Sequence, residues 1–132
     1  MFVISMVRDM INKPKFSIIV ATRDRRSDLY RLLSSLKKAG ILARKDIEVI
    51  IADNNSSDEG VKNVCMDFGV AYLLEKKIGK SFALNAAIKK AKGSYIIFTD
   101  DDVVIKDSRW IDKLYSHFKN PFIGYVSGNV VA

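Results

Sequence analysis

Apolar and polar positions along the chain switch between two periods. Residues 16–21 (FSIIVA) are a short run rich in β-branched side chains, which predicts a buried strand. Leu29, Leu32, Leu33 and Leu36 follow at helical spacing, with Ser27 placed to cap the helix and Gly40 to stop it. The cycle then repeats. Residues 47–52 (IEVIIA) predict a second strand, and residues 56–59 (SSDE) have the capping-box pattern ahead of the stripe Val61, Val64, Cys65 and Phe68. Residues 70–74 predict a third strand, residues 81–92 a helix closed by Gly93, and residues 94–99 (SYIIFT) a fourth strand. Ser108 is placed to cap a fourth helix with Ile111, Leu114, Tyr115 and Phe118 inward, and residues 122–131 read as a last extended segment.

Strand and helix thus alternate four times, with strands too apolar to have a wet face. That pattern predicts an α/β fold, a mostly parallel sheet covered by helices on both sides. Sheets of this kind place ligands at the carboxyl ends of their strands. Those ends carry residues 22–24, residues 53–55, the loop 75–80, and the acidic run 100–102. The polar residues converge on one rim.

Composition narrows the class. The chain has 132 residues, 48% hydrophobic and 28% charged, enough for one domain with a real core and too ordered in character for a disordered chain. The single cysteine excludes a disulfide framework and a cysteine zinc site, and its place on a helical stripe makes Cys65 a core residue. No apolar run approaches the roughly 20 residues that span a bilayer. Residues 1–7 lack a basic flank and a cleavage site, so a cytoplasmic, reducing compartment is expected. Net charge is 22 − 15 = +7, with six lysines and no acid between residues 76 and 92. That block reads first as a solvated face and second as a contact for phosphate or anionic lipid. Nucleic acid is not expected, because the block lacks interleaved aromatics and an Arg-rich helix.

The rim suggests chemistry. Three successive carboxylates repel by about 1 to 4 kcal/mol per pair, and extended geometry sends Asp100 and Asp102 to one side and Asp101 to the other. Two carboxylates without His or Cys suit Mg²⁺ or Mn²⁺, which leaves positions open for substrate phosphates; the alternative is a plain acidic turn. Asp53 has the groups to accept hydrogen bonds from a nucleobase or ribose, or to close an Asx-type turn on its own backbone. Gly79-Lys80-Ser81 lacks the earlier glycine of a phosphate loop, since that position is Leu74, but Lys80 at a helix N-terminus can still meet an anion. His117, the only histidine, sits away from the rim and completes no catalytic relay.

Four stretches together resemble inverting family-two glycosyltransferases: residues 16–25 (FSIIVATRDR) with the leucine helix, residues 48–58 (EVIIADNNSSD), residues 79–88 (GKSFALNAAI), and residues 91–102 (AKGSYIIFTDDD). The resemblance runs from about residue 16 to 131. It implies a GT-A fold, a Rossmann-like three-layer αβα arrangement, a UDP- or GDP-linked sugar donor, and Mn²⁺ or Mg²⁺ as cofactor. Carried over, Thr22, Arg23, Asp53, Asn55, Lys80, Asp100 and Asp101 form the substrate-binding set, with Asp53 and the Thr22 loop on the base and Asp100 on the ribose. Asp102, with Asp100, holds the metal. Ala21 departs from the proline many members carry there.

In this family the catalytic base follows the Asp-x-Asp motif, so no base is identified and one is expected beyond residue 132. Residues 1–15 then form an N-terminal extension and residues 16–132 a donor-binding part that looks truncated. The acceptor implied is a glycan or lipid-linked sugar in polysaccharide biosynthesis, with peripheral association at the inner face of a membrane. A homo-oligomer is expected through the apolar edge of residues 122–131. Two other readings compete: a non-catalytic nucleotide-binding or assembly module of the same fold, and a sugar nucleotidyltransferase. The latter usually has a Gly-rich loop after its first strand, and residues 21–26 contain no glycine.

Overall fold

Strand β1 (Phe16–Thr22) has every side chain buried except Ala21, which is half-buried. A strand apolar on both faces demands cover on both, and the rest of the architecture supplies it. In the computed structural model, which describes residues 13–128, the order continues α1 (Arg26–Lys38), β2 (Ile47–Asp53), α2 (Gly60–Phe68), β3 (Ala71–Leu74), α3 (Lys80–Lys90), β4 (Tyr95–Phe98) and α4 (Trp110–Ser116). A 3-10 turn, His117–Lys119, ends the helical part. The four strands are parallel in the order β3-β2-β1-β4. The chain therefore winds outward from β1 through β2 and β3, then crosses back to place β4 on the other side of β1. That reversal opens a crevice between the carboxyl ends of β1 and β4.

Side chains alternate between two cores. On one face Phe16, Ile18, Val20, Val49 and Ile51 pack under the leucine stripe of α1, Val61 and Cys65 of α2, and Ile111 of α4. On the other, Ile19, Ile50 and Ala52 meet Ala83 and Ala87 of α3. The small alanines let α3 lie close to the sheet. The result is three layers, αβα. Each fully buried Leu, Ile or Val contributes roughly 1.5 to 3 kcal/mol by leaving water. No helix among the described residues is long and apolar enough to cross a membrane.

A polar knot closes the α3 side at the amino end of the sheet. Ser17 Oγ donates to Glu48 Oε1, and the backbone N–H groups of Lys92 and Gly93 donate to Glu48 Oε1 and Ser17 Oγ. Gly93 is there for proximity. A Cβ would sit 2.5 Å from Ser17 Oγ and 2.6 Å from the Ser17 nitrogen.

Several sequence expectations need correction. The helices start without the side-chain caps read from Ser27, the residues 56–59 box and Ser108: α1, α2 and α4 begin after Arg25, Glu59 and Arg109, none of which makes a side-chain cap bond. Ser56 and Ser57 instead bond Asp24 across the rim, a tertiary demand that outcompetes local capping. The strands are not all dry. Ile96 and Phe98 of β4 are 36% and 54% exposed on the α3 face, because α3 lies over β1, β2 and β3. The last extended segment forms no strand over residues 122–128, and its remainder lies outside the described residues, as does most of the expected N-terminal extension.

Candidate active site

The crevice between β1 and β4 is closed at its floor by one hydrogen bond. Thr22, the last residue of β1, donates from Oγ1 to Asp101 Oδ2 at 2.8 Å, and both residues are buried. The alternation read from the acidic run holds: Asp101 turns inward, while the side chains of Asp100 and Asp102 stay 63% and 54% exposed at the lip. Above them lies an open cleft of about 380 Å³, within the range of small-ligand sites.

Three cations line the cleft with the three acids: Arg23, Arg25 and Lys80. Lys80 Nζ, on the first turn of α3, meets Asp100 Oδ1 at 2.8 Å. Arg25 is anchored by Asp28 at 2.9 Å and reaches Asp101 Oδ1 at 3.6 Å and Asp102 Oδ2 at 3.8 Å. The hydrogen bond to Asp28, then the charges of Asp101, Asp28 and Asp102, hold its guanidinium above the ordinary arginine value. The crowding anticipated for the acidic run is thus relieved by the chain's own cations.

Two loops are fixed to each other beside the cleft. Asp24 adopts a positive φ of 55°, Asn55 one of 61°, a conformation that Asp and Asn tolerate better than most residues. Asp24 Oδ1 accepts from the Ser57 N–H and hydroxyl, and these bonds hold its carboxyl below the usual carboxylate value. Asn54 fastens the third loop. Its Nδ2 donates to the carbonyls of Glu75 and Lys77, and its Oδ1 accepts from the Gly79 N–H at 2.8 Å. Gly79 has φ 141°, and a Cβ there would lie 2.9 Å from the Phe82 ring. With its N–H committed to Asn54, Gly79 offers no donor to a phosphate. It turns the chain into α3, whose first residue is Lys80.

Of the residues singled out in the sequence, Thr22, Arg23, Lys80, Asp100, Asp101 and Asp102 come together in the cleft. Asp53 and Asn55 do not line it. Asp53 is buried, its Oδ1 accepting from the Ser56 N–H and its Oδ2 from the Tyr72 hydroxyl. The Asx-type closure considered for it is therefore present, and it holds the rim from behind. Asn55 is exposed at the turn. His117 is exposed beyond α4, and Cys65 is in the core. Sequence reasoning gave no site role to Ala21 or Arg25 and set Asn54 on the rim without assigning it one; all three line the cleft. The register Thr22↔Asp53 carries the signal for Asn54, since it sets the next residue, Asn54, beside Arg23.

No group of three or more His, Cys, Asp or Glu side chains converges as a metal cage among the described residues. The exposed carboxylates Asp100 and Asp102 still fit a hard divalent cation. Such ions take oxygen donors and commonly bind through one or two carboxylates, with substrate phosphates and water completing the shell.

Fold and site together define a doubly wound α/β protein with an acidic, cation-balanced cleft at its switch point. The chain belongs to glycosyl transferase family 2, whose family model matches residues 17–132. It is 34% identical over 95 residues to the GalNAc(5)-diNAcBac-PP-undecaprenol beta-1,3-glucosyltransferase of Campylobacter jejuni, covering 67% of this chain and 30% of that protein. It is 30% identical over 100 residues to the poly(ribitol-phosphate) beta-N-acetylglucosaminyltransferase TarS of Staphylococcus aureus, covering 71% and 17%. The chain thus spans less than a third of either relative. Its fold is that of the GT-A glycosyltransferases. A mannosyltransferase from Pyrobaculum calidifontis, solved with GDP-Man and Mn²⁺, superposes with a TM-score of 0.73 at 22% identity over 85% of this chain and 34% of that one. The glucosyl-3-phosphoglycerate synthase of Mycobacterium tuberculosis, solved with Mn²⁺ and UDP, gives 0.66 at 15% identity over 86% and 42%.

Proposed function

We propose that residues 16–132 are the donor-binding part of an inverting glycosyltransferase that transfers a sugar from a UDP- or GDP-linked donor. The observation that carries this reading is the Thr22–Asp101 bridge, which sets the β1 loop, Lys80 and the acidic run around one cleft. Thr22 and Arg23 face the base and ribose, with Asp100 on the ribose side. Asp53 supports the base region through Ser56 and Tyr72. Asp102, with Asp100, holds Mn²⁺ or Mg²⁺. When bound, the cation supplies charge stabilisation to the departing diphosphate. Lys80 and Arg25 add positive charge on the protein side, and Asp101, buried and hydrogen-bonded, fixes the run from which Asp102 projects.

Transfer with inversion also needs a base to take the acceptor proton, which we assign to a part of the enzyme outside these residues. For the acceptor we infer a glycan or lipid-linked sugar. The undecaprenol-linked substrate named for the Campylobacter relative supports that class, and the exposed Lys76, Lys77, Lys89, Lys90 and Lys92 suit a transient contact with an anionic membrane face. The exposed apolar strip on β4 supports self-association.

The test is calorimetric binding of UDP, GDP and their sugars with and without Mn²⁺. Metal-dependent binding that Asp102→Ala abolishes, in a variant that keeps its circular dichroism, is the expected result. Binding that is indifferent to metal and to Asp102 would remove the assignment.

A further inference from the structure

Arg25 is the residue of the cleft for which the reading above has least use, yet its geometry is the most specific. Its guanidinium spans Asp28 on α1 and the two carboxylates Asp101 and Asp102. One of those two, Asp102, is the carboxylate assigned above to the metal. A guanidinium 3.8 Å from Asp102 Oδ2 and a divalent ion on the same oxygen compete for one place. Of the other two cations of the cleft, Lys80 pairs with Asp100 at 2.8 Å, while Arg23 contacts neither Asp101 nor Asp102: among the described residues its acidic neighbour is Asp24, at 4.0 Å.

We propose that Arg25 is the resident counter-cation on the Asp102 side of the metal site, a positioning residue that holds Asp101 and Asp102 until a divalent ion displaces it. This rests on the assignment of Asp102 to the metal. Asp28 makes the exchange local, because its Oδ2 retains Arg25 through both Nε and Nη2, at 2.9 Å each, when the acidic run is given up. A planar guanidinium freed from Asp102 but still tethered at the rim remains available to an anionic ligand, which it binds through paired donors. Metal and diphosphate then favour each other: the ion releases Arg25, and the diphosphate occupies it.

The proposal is tested by titrating Mn²⁺ alone into the chain, following free Mn²⁺ by its paramagnetic resonance signal, with folding checked by circular dichroism. Arg25→Gln is expected to bind Mn²⁺ about tenfold more tightly than the parent, the size of a close charge–charge interaction in a partly exposed site. Arg23→Gln removes the same charge from the same cleft without touching Asp101 or Asp102, and is expected to shift affinity by less than about threefold. Arg25→Lys should lie near the parent. Equal affinities for Arg25→Gln and parent, or equal shifts for the Arg25 and Arg23 variants, would overturn the inference. Asp102→Ala separates the two levels: if it abolishes Mn²⁺ binding while Arg25→Gln changes nothing, only the role of Arg25 fails. If Asp102→Ala leaves binding intact, the metal assignment fails and the inference with it.

Discussion

A carboxylate with both oxygens engaged inside the protein acts differently from one facing a ligand, and Asp53 is of the first kind. It accepts from the Ser56 N–H at 2.9 Å and from the Tyr72 hydroxyl at 2.8 Å. Burial and that bond raise the Tyr72 phenol above its usual value. Asp53→Ala is therefore expected to cost about 2 to 4 kcal/mol of stability, and Tyr72→Phe about 1 to 2, since each leaves polar groups unpaired. Urea unfolding measures both, and an Asp53→Ala chain as stable as the parent would contradict the role. Cys65 gives a second check. Burial first, then the charge of Asp53, pushes its thiol up to about 12 from 9.0. A raised pKa means that the folded state disfavours the thiolate. Stability from this group is complete below pH 9 and is lost as pH rises from 9 toward 12. Cys65 should resist thiol reagents at pH 8 in the native protein and react once the chain is unfolded in denaturant. Rapid native-state labelling would place it outside the core.

Elements meet at positions where one atom decides the fit, and the α3–β4 connection is the sharpest. The Ser17–Glu48 pair accepts two backbone donors there, and Gly93 lies against β1 with no room for a side chain. Gly93→Ala is expected to destabilise by about 1 to 3 kcal/mol, the range of overpacking in a close contact, read as a lowered urea midpoint. A neutral substitution would mean the connection can shift without loss. The helix periodicity was legible at this scale: Leu29, Leu32, Leu33 and Leu36 are all fully buried. The caps were not, because Ser56 and Ser57 have two competing partners, their own helix and Asp24, and the second lies on a loop that sequence spacing does not bring near.

The whole molecule leaves one side of its sheet incomplete among the described residues. Strand β4 pairs only with β1, and its Ile96 and Phe98 face outward beside α3. Phe122 and Tyr125 are 94% and 80% exposed in the segment that follows α4. Open edges with apolar faces pair with other chains. The 132-residue chain is expected to run above monomer mass in size-exclusion chromatography with light scattering, and Phe98→Lys to shift it toward monomer. A parent that remains monomeric at the highest attainable concentration would rule out this surface as a self-contact.

The alternation of β-branched runs with helical stripes determined the αβα class and the order of the elements, because a short apolar run and a 3.6-residue stripe are both local properties of the chain. It also set the acidic run and the Asp53 turn at the carboxyl edge, since a parallel sheet aligns every strand end on one side. Which side chains of those loops reach the cleft was decided only by the tertiary structure. Thr22 and Asp101 are 79 residues apart, and only the crossover that sets β4 beside β1 brings them within a hydrogen bond. The same registers turn Asp53 inward to Tyr72 and bring Asn54 and Arg25 to the cleft. A side chain's long-range partner is fixed by where the strands lie, and its own sequence neighbours carry no trace of that.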